Sequence, residues 1–300
     1  MNREKRIYSG PLLEADFYPI FKDGRRIPSK EPKIKRSTDE QERYNKNQAI
    51  KDLIRKINTN FDSYDYFFHP TYFPQYAPQT REEAMRDISN YFGRVKRRRA
   101  AELKKVLKAF NAMPDVPELR EQRENLKQKI KVLRRPFRYI YVPEQEIYKT
   151  GIYKGRINWH FHVFVTGGLD DRTMERLWPL GIRINADNFQ PERFGPEAAA
   201  KYMMKSPTGK KKFICSRNLA KPKVPDPSKR DGTTTQYQLE RWAKERIDDA
   251  EFWERKYKGY KFIKCYARKN PFNGRWYLSL IMYRTSSAPP EWSINDWLDD

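Results

Sequence analysis

The run Ile157-Asn158-Trp159-His160-Phe161-His162-Val163-Phe164-Val165 constrains the fold more than any other stretch of the chain. It alternates with period two and is rich in Phe, Val and Trp, the signature of a half-buried strand whose side chains two apart share a face. His160 and His162 therefore lie side by side, with Cα atoms roughly 7 Å apart. Phe161, Val163 and Val165 pack the opposite face, with Trp159 on their side. Two of the three histidines in the chain are spent here. Two neutral imidazoles on one face supply half of a divalent-metal site. Taken alone, they are equally a pair of surface or hydrogen-bonded histidines.

A carboxylate on the strand paired with the histidine strand would complete a ligand set. Glu144 and Glu146 share a strand face. Thr150-Gly151 and Lys154-Gly155 read as the tip of an extended hairpin, and a tip centred on 151–154 brings either carboxylate opposite His160 within a residue of register. The remaining histidine, His69, stands beside Pro70 and reads as structural, outside this site.

Downstream, Phe194-Gly195-Pro196-Glu197 through Ser206-Pro207 reads as a helix over 196–206, with Pro at its first position, an early Glu, and Pro207 after its end. Tyr202 and Lys205 are three apart, so an ammonium can sit near a phenol on one helix face. The competing reading is an amphipathic helix with Tyr202 and Met203 in the core.

In this order, His160-Phe161-His162 followed by Tyr202-Met203-Met204-Lys205 resembles the HUH endonuclease superfamily, specifically the rolling-circle replication initiators of bacterial phages and plasmids. Tyr141-Val142-Pro143-Glu144 looks like the family's acidic-ligand strand, and Trp159 before the first histidine is similar to its pattern. Gly209-Lys210-Lys211-Lys212 and Ser216-Arg217-Asn218-Leu219-Ala220-Lys221-Pro222 resemble the segment after the tyrosine helix. Asn60-Phe61 and Asp65-Tyr66-Phe67-Phe68-His69-Pro70-Thr71-Tyr72 occupy the place of the first strand motif. That motif usually reads hydrophobic-Thr-Leu-Thr, where this chain has Phe68-His69-Pro70-Thr71, and Pro70 suggests a strand end or edge. The link from Glu144 to His160 is longer than the family's turn, and 100–135 adds helical sequence.

The resemblance implies a replication initiator that nicks one DNA strand at an origin, leaving a 5′-phosphotyrosyl bond and a free 3′-hydroxyl that primes synthesis, and rejoins strands at termination. Tyr202 is then the nucleophile, and His160, His162 and Glu144 hold the metal, with Glu146 the second choice. Such a cleavage needs an ionised nucleophile and a Lewis acid on the scissile phosphate. A tyrosine hydroxyl titrates near 10, so a neighbouring cation such as Lys205 favours the phenolate or takes up charge on the phosphate. Two imidazoles and a carboxylate suit Mn²⁺ or Mg²⁺. One tyrosine rather than a pair implies that termination uses a second subunit or a separate hydrolytic step. A conjugative relaxase or single-strand transposase shares this chemistry, although relaxases commonly place their tyrosine ahead of the histidines. A non-catalytic nucleic-acid-binding protein is the third class, separated from the others by metal-dependent cleavage.

Composition agrees with a polyanionic partner, single-stranded and origin DNA on this reading: 62 Lys plus Arg against 39 Asp plus Glu give a formal charge of +23. Lys210, Lys211, Lys212, Arg217 and Lys221 follow the tyrosine helix and read as a backbone-contacting rim for single-stranded DNA. The run Arg94-Val95-Lys96-Arg97-Arg98-Arg99 reads as general duplex affinity. No phosphate loop is present, because Pro207-Thr208-Gly209-Lys210-Lys211 lacks the earlier glycine and the hydroxyl after lysine, so unwinding falls to a host helicase and synthesis to a host polymerase. Cys215 and Cys265 have neither zinc spacing nor a disulfide framework, and no apolar run reaches membrane-span length; a soluble protein of the bacterial host cytoplasm is expected.

The expected fold class is α+β: an antiparallel sheet with flanking helices, a split βαβ-like palm on the resemblance. Three regions are expected. Residues 1–44, basic and Pro-punctuated, read as an extended arm. Residues 45–225 form the endonuclease domain, with an amphipathic helix over 45–60, a helix starting at Thr80, the insertion at about 100–135, strands near 65–73, 137–147, 156–166 and 181–187, and a helix over 171–178. Within them, the pair of helices around 113–117 is either packed on the sheet or a protruding hairpin that grips duplex DNA or a partner. Residues 226–300 form an accessory module, entered by a linker over 222–231, with a charged helix over 234–257 and a hairpin turning at Asn273-Gly274.

Overall fold

A computed structural model describes residues 1–20, 38–181, 187–188, 195–205 and 212–285. In chain order the elements begin with β1 (Asn2–Ser9), β2 (Leu12–Pro19), α1 (Thr38–Asn60), β3 (Tyr66–Phe68), α2 (Arg81–Ala112) and α3 (Arg120–Arg134). The middle of the chain holds β4 (Tyr139–Ile147), β5 (Ile157–Val165), α4 (Asp171–Arg176), β6 (Asp187–Asn188), α5 (Gly195–Met203) and β7 (Ile214–Cys215). Last come α6 (Gln236–Glu245), α7 (Ala250–Lys256), β8 (Tyr260–Lys269) and β9 (Trp276–Arg284). The class is α+β with two antiparallel sheets. The chain divides into two compact units, one of Met1–Asn60, Glu192–Ala199 and Ala220–Asp300, the other of Phe61–Pro191 and Ala200–Leu219.

The first unit is built on a four-stranded sheet in the order β1-β2-β9-β8. The extended arm expected over 1–44 is, over 2–19, a β-hairpin inside this sheet. Gly10-Pro11 is its turn rather than a chain breaker. Gly10 has φ +57°, and a Cβ there would lie 2.0 Å from the Asn58 carbonyl oxygen, so the position requires glycine twice over. Leu13, Ala15 and Phe17 of β2 and Leu278, Leu280 and Met282 of β9 form a core with Leu239 of α6 and Trp253 of α7. The opposite face meets α1 at one end, where Arg55 donates to both carboxylate oxygens of Glu14 at 2.7 and 2.8 Å and the Tyr283 hydroxyl donates to Asn58 at 3.1 Å.

Two further expectations change in this unit. The linker over 222–231 is in part a strap along the edge of β1: Tyr8 and Lys223 exchange backbone hydrogen bonds at 2.9 Å, the Gly232 N–H donates to Asn2 O at 2.8 Å, and Arg3 pairs with Asp231 at 2.6 Å. An edge strand is thereby covered. The single charged helix over 234–257 is two helices, because Asp249 caps the Phe252 N–H at 2.9 Å and restarts the chain as α7.

The second unit carries a five-stranded sheet in the order β6-β3-β5-β4-β7. Trp159, Phe161, Val163 and Val165 face a core made with Ala84, Ile88, Tyr91 and Val95 of α2 and with Met174 and Trp178. Thr80 opens α2 with a complete capping box to Glu83, as its sequence suggests. Val106, Ile130 and Leu133 close α2 on α3 as a helical hairpin. The basic run 94–99 is divided by this packing: Lys96, Arg97 and Arg98 are exposed, whereas Arg99 is buried. Its guanidinium donates to Gly167 O at 2.8 Å and to Val132 O at 3.1 Å, near the carbonyl end of α3, and burial pushes it down to about 10. Arg94 likewise donates to Leu177 O at 2.8 Å, just after α4. These two arginines fasten helices. Most of the strand expected over 181–187 lies outside the described residues.

Candidate metal centre

Register decides which side chains meet. β4 and β5 pair antiparallel from Tyr139↔Val165 to Ile147↔Ile157, which sets Glu144 opposite His160 and Glu146 opposite Asn158. The tip lies over 148–156, where Gly151 and Gly155 take φ of +76° and +86°. Thus Glu144, not Glu146, stands against the histidines. β7 pairs with β4 through Ile140 and Tyr141.

One oxygen of Glu144, Oε2, accepts from His160 Nε2 at 3.0 Å and from His162 Nε2 at 2.7 Å. These three side chains form a group that could hold a metal ion. The donor chemistry fits: two imidazole nitrogens and a carboxylate oxygen lie within 4.8 Å of one another. His162 is buried, and His160 and Glu144 are half-buried. Burial holds the His162 imidazolium less favourable than usual, with the opposing pull of Glu144 too weak to reverse it. Burial raises Glu144, yet its bonds to His162 and the charge of His160 outweigh it, and the carboxyl stays below its ordinary range. A His162 imidazole kept neutral by burial, beside an ionised carboxylate, suits a cation.

His69, left outside the site on sequence grounds, belongs beside it. β3 pairs with β5 through Phe68↔Val163, so the next residue continues toward His162. The His69 ring lies edge-on to His162 at 4.8 Å and to Tyr202 at 5.6 Å. Among the described residues its Nε2 is buried without a hydrogen-bond partner. Burial, then the charges of His162 and His160, push the imidazole down to about 4. The register of the first strand is the signal that finds it. Pro70 ends β3 as expected, and its carbonyl accepts from the Phe161 N–H at 3.1 Å.

Tyr202 lies near the end of α5. Ala199, Ala200, Met203 and Met204 are buried, while Tyr202 is 54% exposed, so the reading that places it in a core is not what the helix does. Its ring sits edge-on to His162 at 4.8 Å. The helix stops at Met203, earlier than the expected 206, and the Lys205 N–H closes a turn on Tyr202 O at 3.2 Å. The Lys205 side chain is exposed, with no hydrogen bond or ion pair among the described residues. Lys212 and Arg217 are exposed in the second unit and Lys221 is exposed in the first; Lys210 and Lys211 lie outside the described residues. The Ser216 N–H donates to Tyr139 O at 3.0 Å and Asn218 donates to Phe137 O at 3.0 Å, so the Ser216-Arg217-Asn218 segment is tied to the start of β4.

No helix among the described residues is long and apolar enough to cross a membrane. Comparison of the chain with protein-family models, with curated proteins and with solved structures returns no match.

Proposed function

We propose that this protein is a metal-dependent single-strand DNA endonuclease and strand transferase of the HUH type, a replication initiator acting at an origin, with the five-stranded sheet as its split βαβ-like palm. The observation that carries the reading is a single cluster: Glu144 Oε2 within 3.0 Å of both His160 and His162, and the exposed Tyr202 ring 4.8 Å from His162. A metal-ligand set and a solvent-accessible nucleophile side by side are what transesterification at phosphorus requires.

Glu144, His160 and His162 would hold the cation, Mn²⁺ or Mg²⁺ by ligand type. Bound there, it supplies Lewis-acid polarisation of the scissile phosphate. Tyr202 gives its phenolic proton to solvent and its oxygen attacks phosphorus. The bond from phosphorus to the 3′-oxygen breaks, that oxygen takes up a proton, and the 5′-phosphate remains esterified to Tyr202. Attack by a 3′-hydroxyl on the phosphotyrosine reverses the step and rejoins a strand without ATP. His69 and His162 flank the Tyr202 ring and restrict its orientation, and Lys205 offers an unpaired cation two residues past the helix end for phosphate charge.

The test is an SDS-resistant adduct. Incubated with Mn²⁺ and labelled single-stranded oligonucleotides tiling the origin region of its replicon, the protein should become linked to the 5′ side of a nick. Tyr202→Phe should abolish the adduct, as should His160→Ala combined with His162→Ala. Tight salt-sensitive binding with no adduct in any metal would instead favour a non-catalytic DNA-binding protein.

A further inference from the structure

The first unit carries a basic and aromatic surface to which the chemistry above assigns no work. On the sheet face turned away from α6 and α7, α1 covers one end and leaves the other as an open cleft of about 800 Å³. Register builds its floor. Lys5, Asp16, Ser279 and Tyr266 form one row across all four strands, and Arg268 pairs with Tyr277 in the next. Tyr18 and Lys51, the latter from α1, complete the lining.

Three of the charges on this face are already satisfied. Glu14 neutralises Arg55, and the Ser279 hydroxyl donates to Asp16 at 2.7 Å. Lys5, Lys51 and Arg268 make no ion pair among the described residues, so the cleft presents three open cations against one hydrogen-bonded carboxylate. Tyr18, Tyr266 and Tyr277 are half-buried between them, with Lys264 over one face of the Tyr266 ring at 4.7 Å and Arg268 over the Tyr277 ring at 5.9 Å. Cations spaced among ring faces on a sheet are the elements of a single-strand platform: the cations follow phosphates, and rings stack on any base. A duplex keeps its base faces covered, and an acidic peptide has no use for three rings.

We propose that this open half of the four-stranded sheet binds a single-stranded polynucleotide, with bases stacked on Tyr18, Tyr266 and Tyr277 and phosphates held by Lys5, Lys51 and Arg268. The site uses none of the residues of the metal centre and stands whether or not that centre cuts DNA.

Fluorescence anisotropy on the full chain in EDTA, with labelled twelve-residue oligothymidylate and oligouridylate, tests the assignment with the metal centre idle. Tyr266→Ala combined with Tyr277→Ala should weaken binding about tenfold or more, and the matching Phe pair should restore it. Lys5→Ala with Lys51→Ala should lower the salt slope by about 1.4, two phosphates' worth. Preference between the two oligomers reports whether the natural strand is DNA or RNA. Photocrosslinking of the wild-type protein to a bromodeoxyuridine strand should label Tyr18, Tyr266 or Tyr277, which keeps the test decisive even where a variant misfolds. Crosslinks confined to other residues, unchanged affinity in both folded variants, or an oligoglutamate peptide that binds equally well and competes would each overturn the proposal.

Discussion

The two sheets of this protein are both antiparallel, both built around a long hairpin, and both carry polar groups on one face, yet they arrange those groups in opposite ways. Across β4 and β5, Glu144, His160 and His162 converge until one carboxylate oxygen serves two imidazoles. Across β1, β2, β9 and β8, Lys5, Tyr266, Tyr277 and Arg268 stay spread at strand spacing. Convergence suits a point charge, and dispersion suits a polymer that repeats. The pleat places side chains on a face, and register then decides whether they meet.

That claim breaks most readily at Glu144. Glu144→Ala removes the group on which both imidazoles converge and should weaken Mn²⁺ binding by roughly 4 kcal/mol, about a thousandfold, in calorimetry. Glu146→Ala, one pleat along and opposite Asn158 instead of a histidine, should leave the affinity within about twofold. Equal losses in the two variants would mean that register does not select the ligand.

Buried charge sharpens the contrast. In the second unit the site carboxylate is paired and stays below its ordinary range. In the first, Glu197 is fully buried, and burial, only partly opposed by its own backbone N–H and by Asn58, pushes it from 4.5 up to about 7. The folded state therefore binds this proton more tightly than the unfolded chain. The stabilisation is complete below about pH 4.5 and is lost as pH rises through about 7. The gap corresponds to roughly 3 kcal/mol. Urea unfolding at pH 4 and pH 8 should show wild type losing that much more than Glu197→Gln, and parallel pH profiles would contradict the assignment.

How much of this was legible in the residues follows the reach of each interaction. The alternation from Ile157 to Val165 and the capping box at Thr80 are local patterns, and both elements stand where they were expected. The hairpin pattern brought both Glu144 and Glu146 near His160, and only the register of β4 on β5 separates them. The N-terminal hairpin was not legible, since β2 is completed by β9 at the far end of the chain, and Gly10-Pro11 reads as a break until a second strand is known. Arg99 sits in a run of like charges, and only the approach of α3 and Gly167 turns it inward. His69 needed the pairing of a three-residue strand, too short to announce itself.

His69 also gives the finest test of convergence, because it touches the cluster without belonging to the ligand group. If its role is to hold the Tyr202 ring, His69→Ala removes edge contacts of roughly 0.5–1.5 kcal/mol. Single-turnover adduct formation at saturating Mn²⁺ should then slow by up to about tenfold, while calorimetric Mn²⁺ affinity moves less than about twofold. His69→Phe keeps a ring of similar shape with no nitrogen and should recover most of the rate. Recovery by Phe argues for shape and places His69 with the packing that orients the Tyr202 ring. Failure of Phe to recover, together with a loss of metal affinity as large as that of His160→Ala, would make His69 a fourth ligand and extend the convergent set onto β3's end.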